Sequence, residues 1–106
     1  MLDFTAPEYD LTGGRLRVSG EHGPESEAAF EAVLDQLLDF DSNTLVVDLT
    51  DVTYISSGYV RMLAFALMRA RKAGRELVIK VNKRVARLMQ MGGIDQIGTV
   101  ELVNGD

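Results

Sequence analysis

Thr44-Leu45-Val46-Val47-Asp48-Leu49 is a short, nearly continuous run of apolar and β-branched residues bounded by polar ones. That pattern predicts a strand buried on both faces of a parallel sheet, and it should be the central one. Upstream, Pro24 pre-sets a first helical turn, and Glu25 and Glu27 sit where the positive end of a helix dipole favours acids. Phe30, Val33, Leu34, Leu37 and Leu38 then recur at spacings of three and four, with Glu31, Asp35 and Asp39 opposite, so a helix covering the sheet is expected to end near Phe40. Before it, residues 2–6 and Arg15–Ser19 read as two strands of a hairpin about Gly13-Gly14.

Downstream, a loop through Asp51-Val52-Thr53-Tyr54-Ile55 leads to a second helix from about Ser57 to Ala73, closed by Gly74. Leu77–Val81 is a further strand. Asn82 can cap a third helix with Val85, Leu88 and Met89 as its stripe and Gly92-Gly93 as its end, and Thr99–Val103 supplies a last strand. The order β-β-α-β-α-β-α-β implies right-handed crossovers and a mostly parallel α/β sheet of four to five strands packed by three helices, with no C-terminal helix after the last strand.

A chain of 106 residues has room for one domain, 1–106, and 46% hydrophobic with 25% charged residues is a globular composition. There is no cysteine, which removes disulfides, thiolate metal sites and cysteine nucleophiles and fits a reducing cytoplasm. Met1-Leu2-Asp3-Phe4 has none of the character of a signal peptide, and the longest apolar run, Met62 to Met68, is far too short to span a bilayer, so neither secretion nor membrane insertion is expected. Charge is polarised: residues 1–60 carry −10 and residues 61–106 carry +5. The basic half holds a single aromatic residue, Phe65, and its cations sit at solvent-facing helical spacings, which argues against nucleic acid as a partner.

Few groups are suited to catalysis. No Walker or dinucleotide-binding glycine pattern is present, and His22, the sole histidine, is flanked by Gly20 and Gly23 and reads as a solvated loop residue. Asp48 and Asp51 follow the central strand, where open α/β sheets place their sites, but with Ser56 they would make only a thin catalytic set, lacking a cysteine, a phosphate loop or a histidine outside the loop. The chain is therefore expected to be neither an enzyme nor a holder of a cofactor or metal.

Tyr54-Ile55-Ser56-Ser57-Gly58-Tyr59 puts two hydroxyls and a glycine at the start of the second helix. Ser56 or Ser57 can cap that helix; equally, a helix amino end tolerates added negative charge, so Ser57 and Ser56 are candidate phosphorylation sites. On the helix itself, Val60, Leu63, Ala64 and Leu67 mark the expected buried face. Met62, Phe65 and Arg69 project on the other side, and with Arg61 and Lys72 they form an expected docking patch for an apolar surface with acidic surroundings. Another element of this chain, or a second copy of it, would cover the patch equally well.

Leu49-Thr50-Asp51-Val52-Thr53-Tyr54-Ile55-Ser56-Ser57-Gly58 resembles the signature loop of STAS domains, as found in bacterial anti-sigma factor antagonists. Val18-Ser19-Gly20-Glu21 is similar to the family's strand ending in Gly-Glu, and Val85–Asp95 resembles its late helix. The resemblance implies a STAS-type fold and a partner-switching role. In that family a GHKL-type serine kinase, which also sequesters a sigma factor, binds the antagonist and phosphorylates a serine at the start of this helix. By that resemblance the chain is the kinase's substrate and partner, and Gly58, Tyr59, Met62, Phe65 and Arg69 form the partner-binding surface. In an ungapped match Gly58 falls on the usual acceptor position. STAS domains also serve as scaffolds of signalling assemblies and as cytoplasmic subunits of ABC-type lipid transporters, where no phosphoserine is needed; that is the alternative. A homodimer or a larger STAS assembly is also open.

Overall fold

A computed structural model describes residues 8–91 and 99–103. Along the chain run β1 (Glu8–Thr12), β2 (Arg15–His22), a single 3-10 turn (Pro24–Ser26), α1 (Glu27–Leu38), β3 (Thr44–Ile55), α2 (Ser57–Lys72), β4 (Glu76–Val81), α3 (Lys83–Met91) and β5 (Thr99–Leu102). The expected order of elements holds. Residues 2–6 lie outside the described residues, and the strand that pairs with β2 is Glu8–Thr12, joined to it across Gly13, whose φ of 60° suits the tight reversal.

The five strands lie in the order β1-β2-β3-β4-β5, antiparallel between β1 and β2 and parallel elsewhere. Because every parallel crossover steps the same way across the sheet, right-handed connections put all three helices on one face. The core agrees. Leu16, Val18, Val47, Leu49, Ile79 and Val81 from the sheet join Phe30 and Leu34 of α1, Leu63 and Leu67 of α2, and Val85 and Met89 of α3 in one buried cluster.

Among the described residues no helix covers the opposite face, so there β3 is not flanked by apolar layers on both sides as its sequence suggests. Of its outward residues Thr44 is exposed, Val46 and Thr50 are half-buried and Asp48 is buried. Register aligns Arg17 with Asp48, Asp48 with Lys80 and Lys80 with Glu101, so charges alternate in sign across four strands. Arg15 bonds Asp48 at 2.8 Å and Arg17 bonds Asp51 at 2.5 Å. Burial opposes the charge on Asp48, but hydrogen bonds from the Thr50 hydroxyl and amide and from Arg15 outweigh it and hold the carboxyl below the usual carboxylate range.

Two of the three inner strands, β2 and β3, run well beyond what their sequences suggest. β2 continues through Gly20 to His22, and β3 takes up the expected loop as far as Ile55, with Ser19 opposite Asp51 and His22 opposite Ile55. Register shifts on either side of Gly20, which has φ 93°, absorb the irregularity that makes the segment look like a loop.

Candidate docking site at the second helix

The end of β3 delivers the chain directly into α2. Ser56 has extended backbone angles and is the residue before the first helical one; its N–H donates to the His22 carbonyl at 2.9 Å, and its carbonyl accepts from Tyr59 N at 3.1 Å. The cap position is therefore Ser56, as the sequence allows, but its hydroxyl does not turn to the helix amides. It is buried and donates to Glu27 Oε2 at 2.7 Å, across the junction with α1. Glu27 lies in the first turn of α1, so one carboxylate stands at the amino ends of two helices. A Cβ built on Gly58 would overlap that same carboxylate. Of the two candidate serines, Ser57 is the exposed one.

Tyr59 was expected at the partner surface. It is fully buried instead, stacked on Phe30 with ring centroids 4.4 Å apart. Its spacing to Leu63, Ala66 and Ala70 sets the true inward face of α2, which Leu67 completes, while Val60 and Ala64 are only half-buried. The small alanines carry little apolar signal, and the tyrosine carries a polar tip, so the stripe reads one position off.

His22 also departs from expectation: it is a buried strand residue, not a solvated loop one. Its Nε2–H donates to the Ser19 carbonyl at 2.7 Å, which leaves Nδ1 to accept from the Tyr59 hydroxyl at 2.8 Å. Tyr9 and Ser26 hydroxyls lie 3.0 and 2.6 Å from the same Tyr59 oxygen. Burial pushes the His22 pKa down, against the raising effect of the Ser19 carbonyl, and burial pushes the Tyr59 hydroxyl up. This network ties β1, β2, the 3-10 turn before α1 and α2 together beneath the helix start. It gives that start a rigid base.

The outward face of α2 is where the sequence placed exposed apolar groups. Phe65 is 55% exposed and Met68, which the helical spacing had not singled out, is 44% exposed. Together with Arg69, Arg71 and Lys72 they line a shallow depression of about 540 Å³. Met62 is half-buried rather than exposed, packed against the core beside α1. Arg69 reaches back to Asp35 of α1 at 2.8 Å. The site thus brings Phe65, Met68 and Arg69 together on the surface, keeps Gly58 half-buried under Glu27, and takes Tyr59 out of reach.

This architecture recurs in solved structures. An anti-sigma factor antagonist from Mycobacterium paratuberculosis matches with a TM-score of 0.77 at 19% identity, over 93% of this chain and 86% of that one. A Thermotoga maritima protein put forward as an anti-sigma factor antagonist matches with a TM-score of 0.72 at 20% identity, over 92% and 87%. The anti-sigma factor antagonist SpoIIAA in its unphosphorylated form matches with a TM-score of 0.65 at 10% identity, over 93% and 90%. At these identities the likeness is one of fold. No curated protein matches the chain. The family model described as Mlab, STAS domain, matches residues 8–104, nearly the whole length, and the chain belongs to the STAS domain family.

Proposed function

We propose that this chain is a cytoplasmic regulatory module that acts by binding another protein and not by catalysis, in the manner of an anti-sigma factor antagonist, with a GHKL-type serine-kinase anti-sigma factor as its partner. The observation that carries the reading is the exposed Phe65–Met68 pair ringed by Arg69, Arg71 and Lys72, on the helix whose amino end is braced by the Tyr59–His22 network. Aromatic, methionine and arginine side chains are the types that interfaces select, and the basic rim suits an acidic partner surface. Ser57 is the hydroxyl at this helix start that a kinase could reach, because Ser56 is buried against Glu27 and Gly58 has none.

The second reading, a STAS scaffold or a transporter subunit that is never phosphorylated, is favoured by one specific arrangement. The usual acceptor position is Gly58, and Glu27 already supplies a negative charge over it. Affinity capture from the host's lysate with the wild type beside Phe65→Asp, followed by mass spectrometry, separates the two. A GHKL-type kinase retained by the wild type alone supports the antagonist reading; transporter or scaffold subunits retained in its place support the second. Retention of the same proteins by a folded Phe65→Asp chain would refute the proposed surface.

A further inference from the structure

The carboxyl ends of β3 and β4 carry a second feature, unconnected with the α2 face. A cleft of about 800 Å³ opens between the last residues of β3 and the start of α3, with Tyr54, Leu88 and Met91 among its apolar walls and Lys83, Arg84 and Arg87 along its side. Tyr54 is half exposed and Met91 more so. No carboxylate among the described residues pairs with any of these three cations, and the one acid lining the cleft, Asp51, is engaged by Arg17. Two of the cations stand in the first turn of α3, the end of a helix that favours anions. The cleft is pre-shaped: Asn82 donates to the Thr50 and Val52 carbonyls at 3.1 and 2.8 Å and accepts from Val85 N at 2.8 Å, which locks β3 to the helix start.

The amino ends of the same strands carry its complement. After α1 the chain turns through Asp39, Phe40 and Asp41, all exposed, Phe40 by 36%, so a partly exposed aromatic ring stands between two acidic residues in the chain. This corner is held rigid by Arg75, whose guanidinium donates to the Leu38 carbonyl at 2.6 Å, to the Ser42 carbonyl at 2.8 Å and to the Phe40 carbonyl. Phe40 is a rigid aromatic flanked by acids; the cleft is a rigid apolar slot flanked by bases. Because β3 and β4 are parallel, the two lie at opposite ends of the sheet, and one molecule cannot bring them together.

We propose that the cleft takes the Asp39-Phe40-Asp41 corner of a second copy of this chain. The contact is heterologous, so it propagates head to tail and leaves the α2 face of every copy free for another partner. Ordering costs are reduced because both surfaces are already fixed by side-chain clamps. The net charge of −5 opposes association at long range, but at about 0.15 M salt that repulsion is screened beyond roughly 8 Å, while the facing charges are in contact.

Sedimentation velocity of the full chain, from tens of micromolar to about a millimolar, tests this. The wild type is expected to associate with rising concentration. Arg84→Glu with Arg87→Glu reverses the cleft, and Asp39→Lys with Asp41→Lys reverses the corner; each double variant is expected to be monomeric. The four positions are exposed, and the acid at position 84 and the lysine at position 39 suit the local helix dipoles, so a folded circular dichroism spectrum is expected for each. An equimolar mixture of the two restores association, since each reversed surface then meets its opposite. Phe65→Asp associates as the wild type does. A wild type that stays monomeric throughout, a mixture that stays monomeric, or a Phe65→Asp chain that loses association overturns the proposal.

Discussion

The Ser56 hydroxyl donates to the Glu27 carboxylate at 2.7 Å, so residues 29 apart in the chain share one anion between the amino ends of α1 and α2. The same carboxylate fills the space beside Gly58. Negative charge at the start of α2 therefore comes from a neighbouring helix.

That arrangement couples two positions. Glu27→Ala removes the partner of a buried hydroxyl and an anion from two helix ends, and should cost about 1–2 kcal/mol in urea unfolding. Gly58→Ser should cost about 1 kcal/mol by itself, because the Glu27 carboxylate, at the end of a flexible side chain, swings away and gives up the Ser56 contact. In the double variant the contact is lost only once, so the costs should fall short of additive by about 1 kcal/mol. Additive costs would separate Gly58 from Glu27.

His22 should make stability fall on mild acidification. Its pKa is lowered in the folded chain, so below the ordinary value of 6.5 the unfolded chain takes up a proton that the folded chain refuses. Stability is therefore full above that value and declines as pH falls toward the folded pKa. Urea unfolding at about pH 7.5 and about pH 5.5 should show the loss in the wild type, and a His22→Gln chain should show much less of it. Equal slopes in both chains would remove His22 as the cause.

Tyr59 and Phe65 are six residues apart on one helix and should behave in opposite ways. Tyr59→Phe keeps the ring on Phe30 but deprives buried His22 Nδ1 of its donor, and should destabilise by about 1–3 kcal/mol. Phe65→Asp changes an exposed position and should leave unfolding within about 0.5 kcal/mol of wild type. The first variant measures the brace under the helix start, the second the surface offered to a partner, and thermal or urea melts distinguish them directly.

Which of these features could be read from sequence follows from how far apart the determinants lie. The stripes of α1 and α3, the αL stop at Gly74 with φ 71° and the run 44–49 are local patterns, and each produced the expected element. His22 was legible in principle: Leu16, Val18, Gly20 and His22 share one parity and all face the core, but the glycine and the bulge interrupt the alternation the eye follows. The inward face of α2 is obscured in the sequence because Ala66 and Ala70 bury little surface and Tyr59 carries a hydroxyl. The Glu27–Ser56 contact and the outer charge row had no local signal at all, since they depend on which strands and helices become neighbours.

The outer face of the sheet provides the last test. A parallel sheet ordinarily has helices on both sides, yet among the described residues one side has none and presents Arg17, Asp48, Lys80 and Glu101 aligned across four strands. Asp48 is the buried member, bonded by both Thr50 donors and by Arg15. Its folded pKa lies below the ordinary 3.8, so its contribution is present above that value and is lost as pH falls through the folded pKa. Asp48→Asn keeps the volume and an acceptor oxygen for Thr50 but gives up the charge, and with Arg15 largely in solvent the loss at neutral pH should be about 1–2 kcal/mol. On titration into acid the wild type should converge on the variant, because the carboxyl it has lost is then protonated. A stability gap that stays constant below the carboxylate range would mean that Asp48 acts through its shape alone and that the alternating charges do not hold this face.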